Sequence, residues 1–493
     1  MNRVDQNGRD NRRQLESIFN SLKEDNYSKA ISLCESSNLK KNQDPEFYLL
    51  YSTALRKAIR SHEAIEIIRT GLRFYPSNHK FLYELGLNQL ILNDYTNSLN
   101  AFLLSDKISP SNKKTLFQIG MCHYRLGNYI DAINKFIEVL SLDPQYYLAW
   151  LNLGASFTNL KNIDAAIEAF SMIPNDHSSA PTAYYNKSLC FLLKHDLNNG
   201  WREYEWRRKI KESPLDSSKF SIPEWNGLYN EKNKILILNE QGIGDEVFFA
   251  RWLSALSMID NDFTVIIDDR LLNIYQRSFS KIKFIPKSHK FLLTEFDSYL
   301  PLGSLPLKIN GEAHQKEPYL IANKNGVDEF QKIRGFGKRI NVGISWISKN
   351  SESGIFRSIQ LQKMLSIFKD LDVNIISLQY GDLGSDLPSI AKVDGRIQCL
   401  ESIDKFNDID SIVDLIEACD LVISVDNSIV HFSGALGKTT FALLNYSSDW
   451  RWGISGNTTP WYKSIELFRQ NTLNSWDQVI DRARERLIKI TDL

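Results

Sequence analysis

The chain has 493 residues, of which 43% are hydrophobic and 24% charged, and 59 basic side chains balance 59 acidic ones. This composition is typical of a globular protein and excludes a disordered one. The lack of a basic excess argues against nucleic acid or an acidic lipid surface as a partner, and the length allows three domains of ordinary size.

The five cysteines are scattered along the chain and lack the spacing of metal ligands. Such cysteines are typical of reduced, cytosolic proteins. Residues 1–14 are polar and lack the apolar core of a signal peptide, and no apolar run is long enough to span a bilayer. The sequence therefore predicts a cytoplasmic protein without a transmembrane segment.

Residues 1–212 are organised by a period of 34 residues. Four columns of glycine, proline, phenylalanine and small residues share it: Gly86, Gly120 and Gly154; Pro76, Pro110 and Pro144; Phe102, Phe136 and Phe170; and Ala30, Ala64, Ser98, Ala132, Ala166 and Gly200. The unit beginning at Trp150 resembles a tetratricopeptide repeat. We expect an all-α solenoid of five to six repeats with a concave partner surface, in which these residues serve packing.

An aromatic and basic cluster, GWREYEWRRKI, follows in residues 200–210. Such a cluster could bind a ligand by stacking, or it could seal the open end of the solenoid as a capping repeat does. A polar linker is predicted over residues 213–233.

Residues 234–324 read as a first α/β half. Strands are predicted at 235–238, 263–267, 282–285, 296–300 and 318–321, and alternation with helices indicates a parallel sheet. A turn through Gly242 and Gly244 leads into a helix whose start carries Asp245. This acid could cap the helix, or it could be a general base at the carboxyl end of a strand.

A hinge is predicted over residues 325–339, followed by a second α/β half over 340–470 and a C-terminal helix in 471–493. The second half has strands at 340–348, 421–425 and 439–444, a strand and turn at 373–382 and a helix at 409–420. Arg357 lies in a predicted polar loop, where it could be a solvated charge or a cation for phosphates.

The stretch 421–444 reads as strand, tight turn, helix and strand. Asp426, Asn427 and Ser428 can each cap the helix, which would leave free N–H groups and a positive dipole end for an anion such as a diphosphate. His431 could be a packed core residue or a ligand contact. Gly434 is among the small residues that let the helix lie close to its sheet.

These motifs resemble the two Rossmann-like halves of a GT-B glycosyltransferase, specifically of glycosyltransferase family 9, which includes the heptosyltransferases. The resemblance covers residues 234–470, and its most specific element is the Asp-Asn-Ser-x-x-His-x-x-Gly-Ala-Leu-Gly run of 426–437. Proteins of this family that carry tetratricopeptide arrays are also similar. The chain departs from the heptosyltransferase pattern in having Arg357 instead of a lysine and Asn427-Ser428 instead of a Thr-Gly pair.

The resemblance implies a transferase that moves a hexosyl- or heptosyl-type sugar from a nucleotide-diphosphate sugar to an acceptor, without a metal or cofactor. It implies Asp245 as the base on the acceptor side, residues 234–324. It also implies a donor side in residues 340–470. The donor-binding residues would be Gly244 of the glycine turn and six residues of the donor side: Arg357, Asp426, Asn427, Ser428, His431 and Gly434.

Two other classes of function are alternatives to the enzyme. In one, the repeats are a protein-interaction scaffold and the α/β part is a catalytically silent nucleotide-sugar-binding domain. In the other, the chain is a nicotinamide-dependent oxidoreductase, which the incomplete glycine fingerprint disfavours. The sequence therefore predicts a glycosyltransferase whose repeats recruit the acceptor or a protein partner.

Overall fold

The structure is a computed structural model that describes residues 3–37, 44–227, 232–309, 318–332, 339–350, 354–381, 397–400 and 403–491, with side chains from residue 10. The chain forms two compact units, of which the first ends at Ser179 and the second begins at Ala180. Each unit is described separately below.

The first unit is all α-helical, as the sequence predicts. Its helices are α1 Arg3–Lys23, α2 Tyr27–Ser36, α3 Pro45–Lys57, α4 Ser61–Phe74, α5 His79–Ile91, α6 Tyr95–Ile108, α7 Lys113–Arg125, α8 Tyr129–Leu142, α9 Tyr147–Asn159 and α10 Ile163–Ser171. From α3 onward, the helices of each pair begin 34 residues after those of the preceding pair. The period seen in the sequence is therefore the spacing of helix pairs.

The glycine and phenylalanine columns form one packing contact that recurs in three repeats. A Cβ atom on Gly86 would lie 2.7 Å from the ring of Phe102. The same contact joins Gly154 to Phe170, at 2.6 Å, and Gly120 to its own phenylalanine. Only glycine leaves room for the ring here, so these columns record helix packing and not chemistry.

The second unit begins with helices α11 Ala180–Leu193 and α12 Leu197–Tyr204 and a short 3-10 turn, Glu205–Lys209. Trp201 makes edge contacts with Trp252 and Trp450, at centroid distances of 5.7 and 5.5 Å. The buried guanidinium of Arg207 donates two hydrogen bonds, of 2.7 and 2.8 Å, to the carboxylate of Glu240. This helix pair, which the sequence assigned to the end of the array, is thus built into the α/β unit.

The predicted linker is also packed where the structure describes it. Phe220 stacks on Tyr299 with ring centroids 4.1 Å apart. The backbone of Trp225 donates to the carbonyl of Tyr299, and the amide of Tyr299 donates to the carbonyl of Pro223. Residues 213–227 therefore run beside a strand of the first sheet, while 228–231 lie outside the described residues.

The first sheet has four parallel strands: β1 Lys234–Leu238, β2 Asp262–Ile267, β3 Lys283–Pro286 and β4 Ser298–Pro301. Their order is β3-β2-β1-β4, so the direction of winding changes between β1 and β4. The strand predicted at 318–321 is wrong. The amides of Tyr319 and Leu320 instead bond the carbonyl of Ala435, one of the last carbonyls of a helix, which lack intrahelical partners.

The second sheet has six parallel strands: β5 Ile340–Ser345, β6 Val373–Ser377, β7 Ile397–Gln398, β8 Leu421–Val425, β9 Thr440–Leu444 and β10 Ile465–Arg469. Their order is β10-β9-β8-β5-β6-β7, so winding reverses between β5 and β8. The strand predicted at 340–348 ends at Ser345, because the amides of Trp346 and Ile347 bond the side chain of Gln379 instead of a neighbouring strand. The strand and turn predicted at 373–382 begins with β6.

Helices connect the strands of both sheets. They are α13 Ile243–Phe249, α14 Leu253–Leu256, α15 Leu272–Ser278, α16 Leu305–Lys308, α17 Lys324–Gln331, α18 Gly354–Arg357, α19 Leu361–Leu365, α20 Ile409–Ala418, α21 Ser428–Leu436 and α22 Asp477–Thr491. The predicted hinge overlaps α17, and its residues 333–338 lie outside the described residues. The helical N-terminal region followed by a parallel-sheet α/β region confirms the predicted order of fold classes.

Candidate functional site

A cleft of about 700 Å³ lies where the carboxyl ends of both sheets converge. Its walls come from the turn after β1, the turn after β8, the loop after β9 and helix α11. In open parallel sheets, ligands bind at the point where strand winding reverses, and here β1 and β8 each flank such a point. The cleft is therefore the candidate functional site.

The turn after β1 places Asp245 on the wall of this cleft. Gly242 caps α13, and its amide donates to one oxygen of the Asp245 carboxylate at 3.2 Å. The other oxygen accepts a hydrogen bond from Arg451. The side chain nevertheless keeps 29% of its surface exposed. Asp245 thus bonds the capping residue of α13 and still presents its carboxylate to the cleft.

The turn after β8 is fixed by Asn427, which caps α21 and accepts from the amide of Ile429 at 3.0 Å. Its amide nitrogen donates to the hydroxyl of Ser345, at 2.8 Å, and to the carbonyl of Ile347. All these contacts are within the protein, so Asn427 anchors the helix to the end of β5. Ser428, the first residue of α21, lines the cleft.

The two turns meet directly at Gly244. A Cβ atom on this residue would lie 3.3 Å from the ring of His431 and 3.6 Å from the Cα of Ser428. A larger side chain would push the glycine turn away from α21. The glycine therefore permits the close approach that brings the two motifs of the sequence into one cleft.

Five charged side chains form a chain of ion pairs along the cleft. Arg451 bonds Asp245 and, at 2.8 Å, Asp449. Arg357 lies 3.9 Å from the other oxygen of Asp449 and 3.1 Å from Asp426. With every group ionised, three carboxylates and two guanidiniums leave a formal charge of −1. Each arginine thus serves two carboxylates.

Burial and pairing act in opposite directions on the three carboxyls. Burial raises the pKa of Asp245 despite the neighbouring guanidinium of Arg451. Burial likewise raises the pKa of Asp426, although Arg357 opposes it. Burial also disfavours ionisation of Asp449, but two arginines outweigh it, so its pKa is lowered. Asp449, which lies between the two arginines, is therefore the carboxyl that ionises most readily. Asp245 is a more basic carboxylate than Asp449.

His431 lines the cleft as a neutral ring. Burial, with help from Arg451, holds its pKa well below the usual value. Nδ1 lies 3.0 Å from the hydroxyl of Tyr462, and the ring stacks on Trp452 with centroids 5.4 Å apart. His431 is therefore a packed residue that also reaches the cleft, and its contact with a ligand stays a prediction.

Three other predicted residues lie differently from the sequence expectation. Arg357 ends a short helical turn, not a polar loop, because the amide of Ser358 bonds the carbonyl of Gly354. Asp426 is not the helix cap, which is Asn427. Gly434 packs against the ring of Tyr462 and does not line the cleft.

Sequence reasoning missed Asp449 and Arg451, the centre of the ion-pair chain. The loop that carries them is held by Arg469, which donates to the carbonyls of Trp452, Gly453 and Gly456. The available signal was the run Asp449-Trp450-Arg451-Trp452, in which an acid and an arginine alternate with two tryptophans. A buried tryptophan usually finds a hydrogen-bond partner for its N–H, so polar residues beside tryptophans also occur in ordinary cores. The pattern alone therefore does not identify a site.

Basic side chains also line the outer part of the cleft. They are Arg270, whose guanidinium bonds Asp268 at 2.8 Å, and Lys405. Burial lowers the pKa of Lys405. Among the described residues, no cluster of three or more His, Cys, Asp or Glu side chains has the geometry of a metal site.

Comparison with known proteins characterises the helical region. A family model for the tetratricopeptide repeat matches residues 117–183. The chain carries tetratricopeptide repeats. These repeats support a protein-interaction role for this region.

Similar proteins occur among both curated sequences and solved structures. Protein FlbA of Caulobacter vibrioides is 26% identical over 464 residues, covering 88% of this chain and 71% of FlbA. Among solved structures, MamA matches with a TM-score of 0.30 and 14% identity over 31% of this chain and 90% of its own. YrrB, described as a TPR protein with an unusual peptide-binding site, has a TM-score of 0.32 and 15% identity. The match covers 38% of this chain and 94% of YrrB.

Within the described part of the chain, no helix combines the length and the apolar character that a membrane crossing requires.

Proposed function

We propose that the protein is a glycosyltransferase that moves a sugar from a nucleotide-diphosphate sugar to an acceptor hydroxyl, with its two sheets as the halves of a GT-B arrangement. The observation that carries the proposal is the contact of Gly244 with Ser428 and His431. It joins a carboxylate suited to proton transfer and a helix N-terminus suited to a diphosphate within one cleft.

The donor would lie against α21. The amides of the first turn of this nine-residue helix and its positive dipole end favour the diphosphate. Arg357 adds a guanidinium whose Nε has no hydrogen-bond partner among the described residues. Neutral His431 can accept or donate a hydrogen bond at the same wall and repels neither the diphosphate nor the guanidinium of Arg357.

Asp245 would act as the general base. The acceptor oxygen attacks the anomeric carbon while its proton passes to the Asp245 carboxylate. The bond from the anomeric carbon to the diphosphate oxygen breaks, and the nucleoside diphosphate leaves with the electron pair. Burial, which raises the pKa of Asp245, improves it as a base, and Arg451 keeps the carboxylate oriented.

The repeats of the first unit would recruit the acceptor or a protein partner. This part of the proposal rests on the general role of such arrays, which present one extended surface to a partner. The residues of the repeat columns serve packing, and none of them is proposed as a catalytic residue.

The second candidate function is a protein-interaction scaffold with a silent nucleotide-sugar-binding domain. The chain of ion pairs favours it, because both arginines are already paired with carboxylates and the formal charge is −1 before any ligand binds. An anionic donor must then compete with Asp449 and Asp426 for the guanidiniums. Binding without turnover would be the signature of this alternative.

A thermal-shift series with common nucleoside diphosphates tests donor binding. A ligand present at about 100 times its dissociation constant should stabilise the protein by roughly 2.7 kcal/mol. Arg357→Lys should weaken that binding, because an ammonium group cannot replace a planar guanidinium with several donors. Arg277→Lys is the matched control, since Arg277 pairs with Asp410 away from the cleft lining.

Turnover separates the two candidates. Purified protein should release nucleoside diphosphate from the nucleotide sugar whose nucleotide gives the shift. No thermal shift with any nucleoside diphosphate at millimolar concentration would reject both candidates. A shift without release or transfer from any nucleotide sugar would reject the enzyme and retain the scaffold.

A further inference from the structure

Helix α11 contributes one face to the wall of the cleft. Tyr185, Asn186 and Leu189 line it together with Asp245. Residues four apart lie on the same face of a helix, so Tyr185 and Leu189 stand one above the other with Asn186 beside them. We call these three residues the α11 face.

The polar groups of the α11 face are available to a ligand. Among the described residues, neither the hydroxyl of Tyr185 nor the amide of Asn186 forms a hydrogen bond within the protein. The face carries no charged side chain, and Leu189 adds an apolar contact. It therefore suits a neutral polar ligand with alternating hydrogen-bond donors and acceptors and small apolar groups.

The same helix pair fixes the turn that carries the proposed base. The ring of Tyr185 packs on Tyr204 with centroids 5.5 Å apart, and the hydroxyl of Tyr204 accepts a hydrogen bond from the side chain of Gln241 at 2.7 Å. Gln241 has φ of 63°, a left-handed conformation that costs a non-glycine residue energy and persists only when its surroundings hold it. Tyr204 thus connects the α11 face to the turn before Asp245.

We propose that the α11 face binds a polypeptide segment that carries the acceptor hydroxyl, and that Tyr185 and Asn186 determine acceptor specificity. This inference rests on the proposed function and extends it to the class of acceptor. The segment would lie between α11 and the turn of Asp245, with a serine or threonine hydroxyl directed to the carboxylate.

A polypeptide fits the face better than other hydroxyl acceptors. Peptide groups offer one donor and one acceptor per residue, and the side-chain amide of Asn186 and the phenol of Tyr185 can satisfy both. The face belongs to the last helix pair in register with the 34-residue period, and arrays of this kind present helix faces to proteins. The phenol stays protonated, since burial and the nearby Asp245 raise the pKa of Tyr185 to about 12.

Site-specific cross-linking on the full-length chain tests the inference. Leu189→p-benzoylphenylalanine places a photoreactive group on the α11 face, and Asn198→p-benzoylphenylalanine places it on an exposed position of α12. The probe is a synthetic library of peptides containing serine and threonine, added with a saturating nucleoside diphosphate. Peptide adducts should form at position 189 well above the level at 198.

Substitutions then test the named residues. In the background of the photoreactive position 189, Tyr185→Phe combined with Asn186→Ala should lower the adduct yield about tenfold, as expected for the loss of roughly one hydrogen bond to each group. Tyr184→Phe makes the same chemical change one residue earlier, on a ring that stacks on Trp206 outside the cleft lining, and should leave the yield unchanged.

Equal adduct yields at positions 189 and 198, or equal effects of the two sets of substitutions, would overturn the inference. Suppression of the adducts by methyl glycosides but not by unlabelled peptides would also overturn it, in favour of a saccharide acceptor.

The cross-linking arm requires no turnover. Its result is therefore independent of the thermal-shift and donor-release measurements that decide the proposed function. If nucleotides fail to bind while peptide adducts form at position 189, the transferase is rejected and the peptide site stands. If nucleotide is released but no adduct forms, the transferase stands and the polypeptide acceptor is rejected.

Discussion

The two compact units use their buried residues for different purposes. In the first unit, Gly86, Gly120 and Gly154 each accommodate a phenylalanine ring, and the contact recurs with the period of the helices. In the second unit, five charged side chains lie in a row along a cleft, and each makes a different set of contacts. Repeated residues report packing, whereas the candidate chemistry depends on residues that occur once.

Helix pair α11–α12 follows the period of the first unit but belongs to the second. It starts where a further repeat would start, yet its Trp201 and Arg207 contact the α/β part. Periodicity therefore does not decide which unit a helix belongs to. The contacts of its large and charged side chains do.

The largest expected effect is a difference in stability between two truncated chains, one that keeps α11 and α12 and one that lacks them. A chain that begins at Ala180 should unfold cooperatively and keep nucleotide binding, because the contacts of α11 and α12 remain. A chain that begins at Ser213 loses Arg207 and leaves the buried carboxylate of Glu240 without its cation, a loss of about 3–5 kcal/mol. Circular-dichroism melting curves and dye binding to exposed apolar surface measure the difference.

Equal melting temperatures of the two truncated chains would show that the helix pair is dispensable. The boundary of the functional unit would then lie at the linker, where the sequence placed it.

Asp245→Asn should have the next largest effect, on turnover. Removing a positioned base lowers rates by roughly 10²–10⁴-fold. The side-chain oxygen of asparagine can still accept a hydrogen bond from the amide of Gly242, and Arg451 keeps its ion pair with Asp449. We therefore expect the free energy of unfolding to fall by only about 1–2 kcal/mol. Nucleotide binding should hold, because the donor lies against α21.

The matched control is Asp131→Asn in the first unit, also an acid in the first turn of a helix. It should change neither turnover nor nucleotide binding. If Asp245→Asn turned over within a factor of about three of the parent, Asp245 would be a helix cap and no more.

The sequence was sufficient for most of the fold because each element has a local signal. The strand Leu421–Val425 and the end of α21 at Gly437, in the left-handed conformation with φ of 75°, agree with the prediction. The strand predicted at 318–321 failed because its apolar residues serve a contact with Ala435, which is distant in the chain. Local patterns do not contain such tertiary contacts.

The candidate site was predicted only in part, for a related reason. Asp245 and Ser428 stand at turns that can be recognised next to apolar strands, and the structure brings them to one cleft. Arg451 lies in an irregular loop after β9, where neither spacing nor periodicity identifies a role. Its importance follows from its partners, and partners that lie far apart in the sequence cannot be read from composition.

Glu246→Gln should reveal a pH dependence that belongs to the second unit. Burial raises the pKa of this carboxyl from 4.5 to about 7 in the folded chain. An acid with a raised pKa binds its proton more tightly when folded, so its contribution to stability is present at low pH and is lost as pH rises from about 4.5 to about 7. The loss in the parent is at most about 3–4 kcal/mol.

Urea unfolding at several pH values measures this effect. The stability of the variant relative to the parent should rise with pH across that window. Glu63→Gln in the first unit should show the opposite trend, because the hydrogen bond from Arg60 lowers the pKa of Glu63. A difference between Glu246→Gln and the parent that does not vary with pH would exclude a protonated Glu246.

Gly154→Ala should have the smallest effect, and it tests whether packing alone governs the first unit. Alanine in a helix interior ordinarily stabilises by about 0.5–1 kcal/mol relative to glycine. Here its Cβ would lie 2.6 Å from the ring of Phe170, and overpacking of this kind costs about 1–3 kcal/mol, so the net change should be destabilising. Adding Phe170→Leu to Gly154→Ala removes the ring and should make the glycine substitution less costly than it is in the parent. Unfolding free energies of the four proteins give this coupling directly, and nucleotide binding should be the same in all of them. A stabilising Gly154→Ala would mean that the repeat relaxes around the new methyl group, and an effect on nucleotide binding would mean that the repeats do more than pack and recruit.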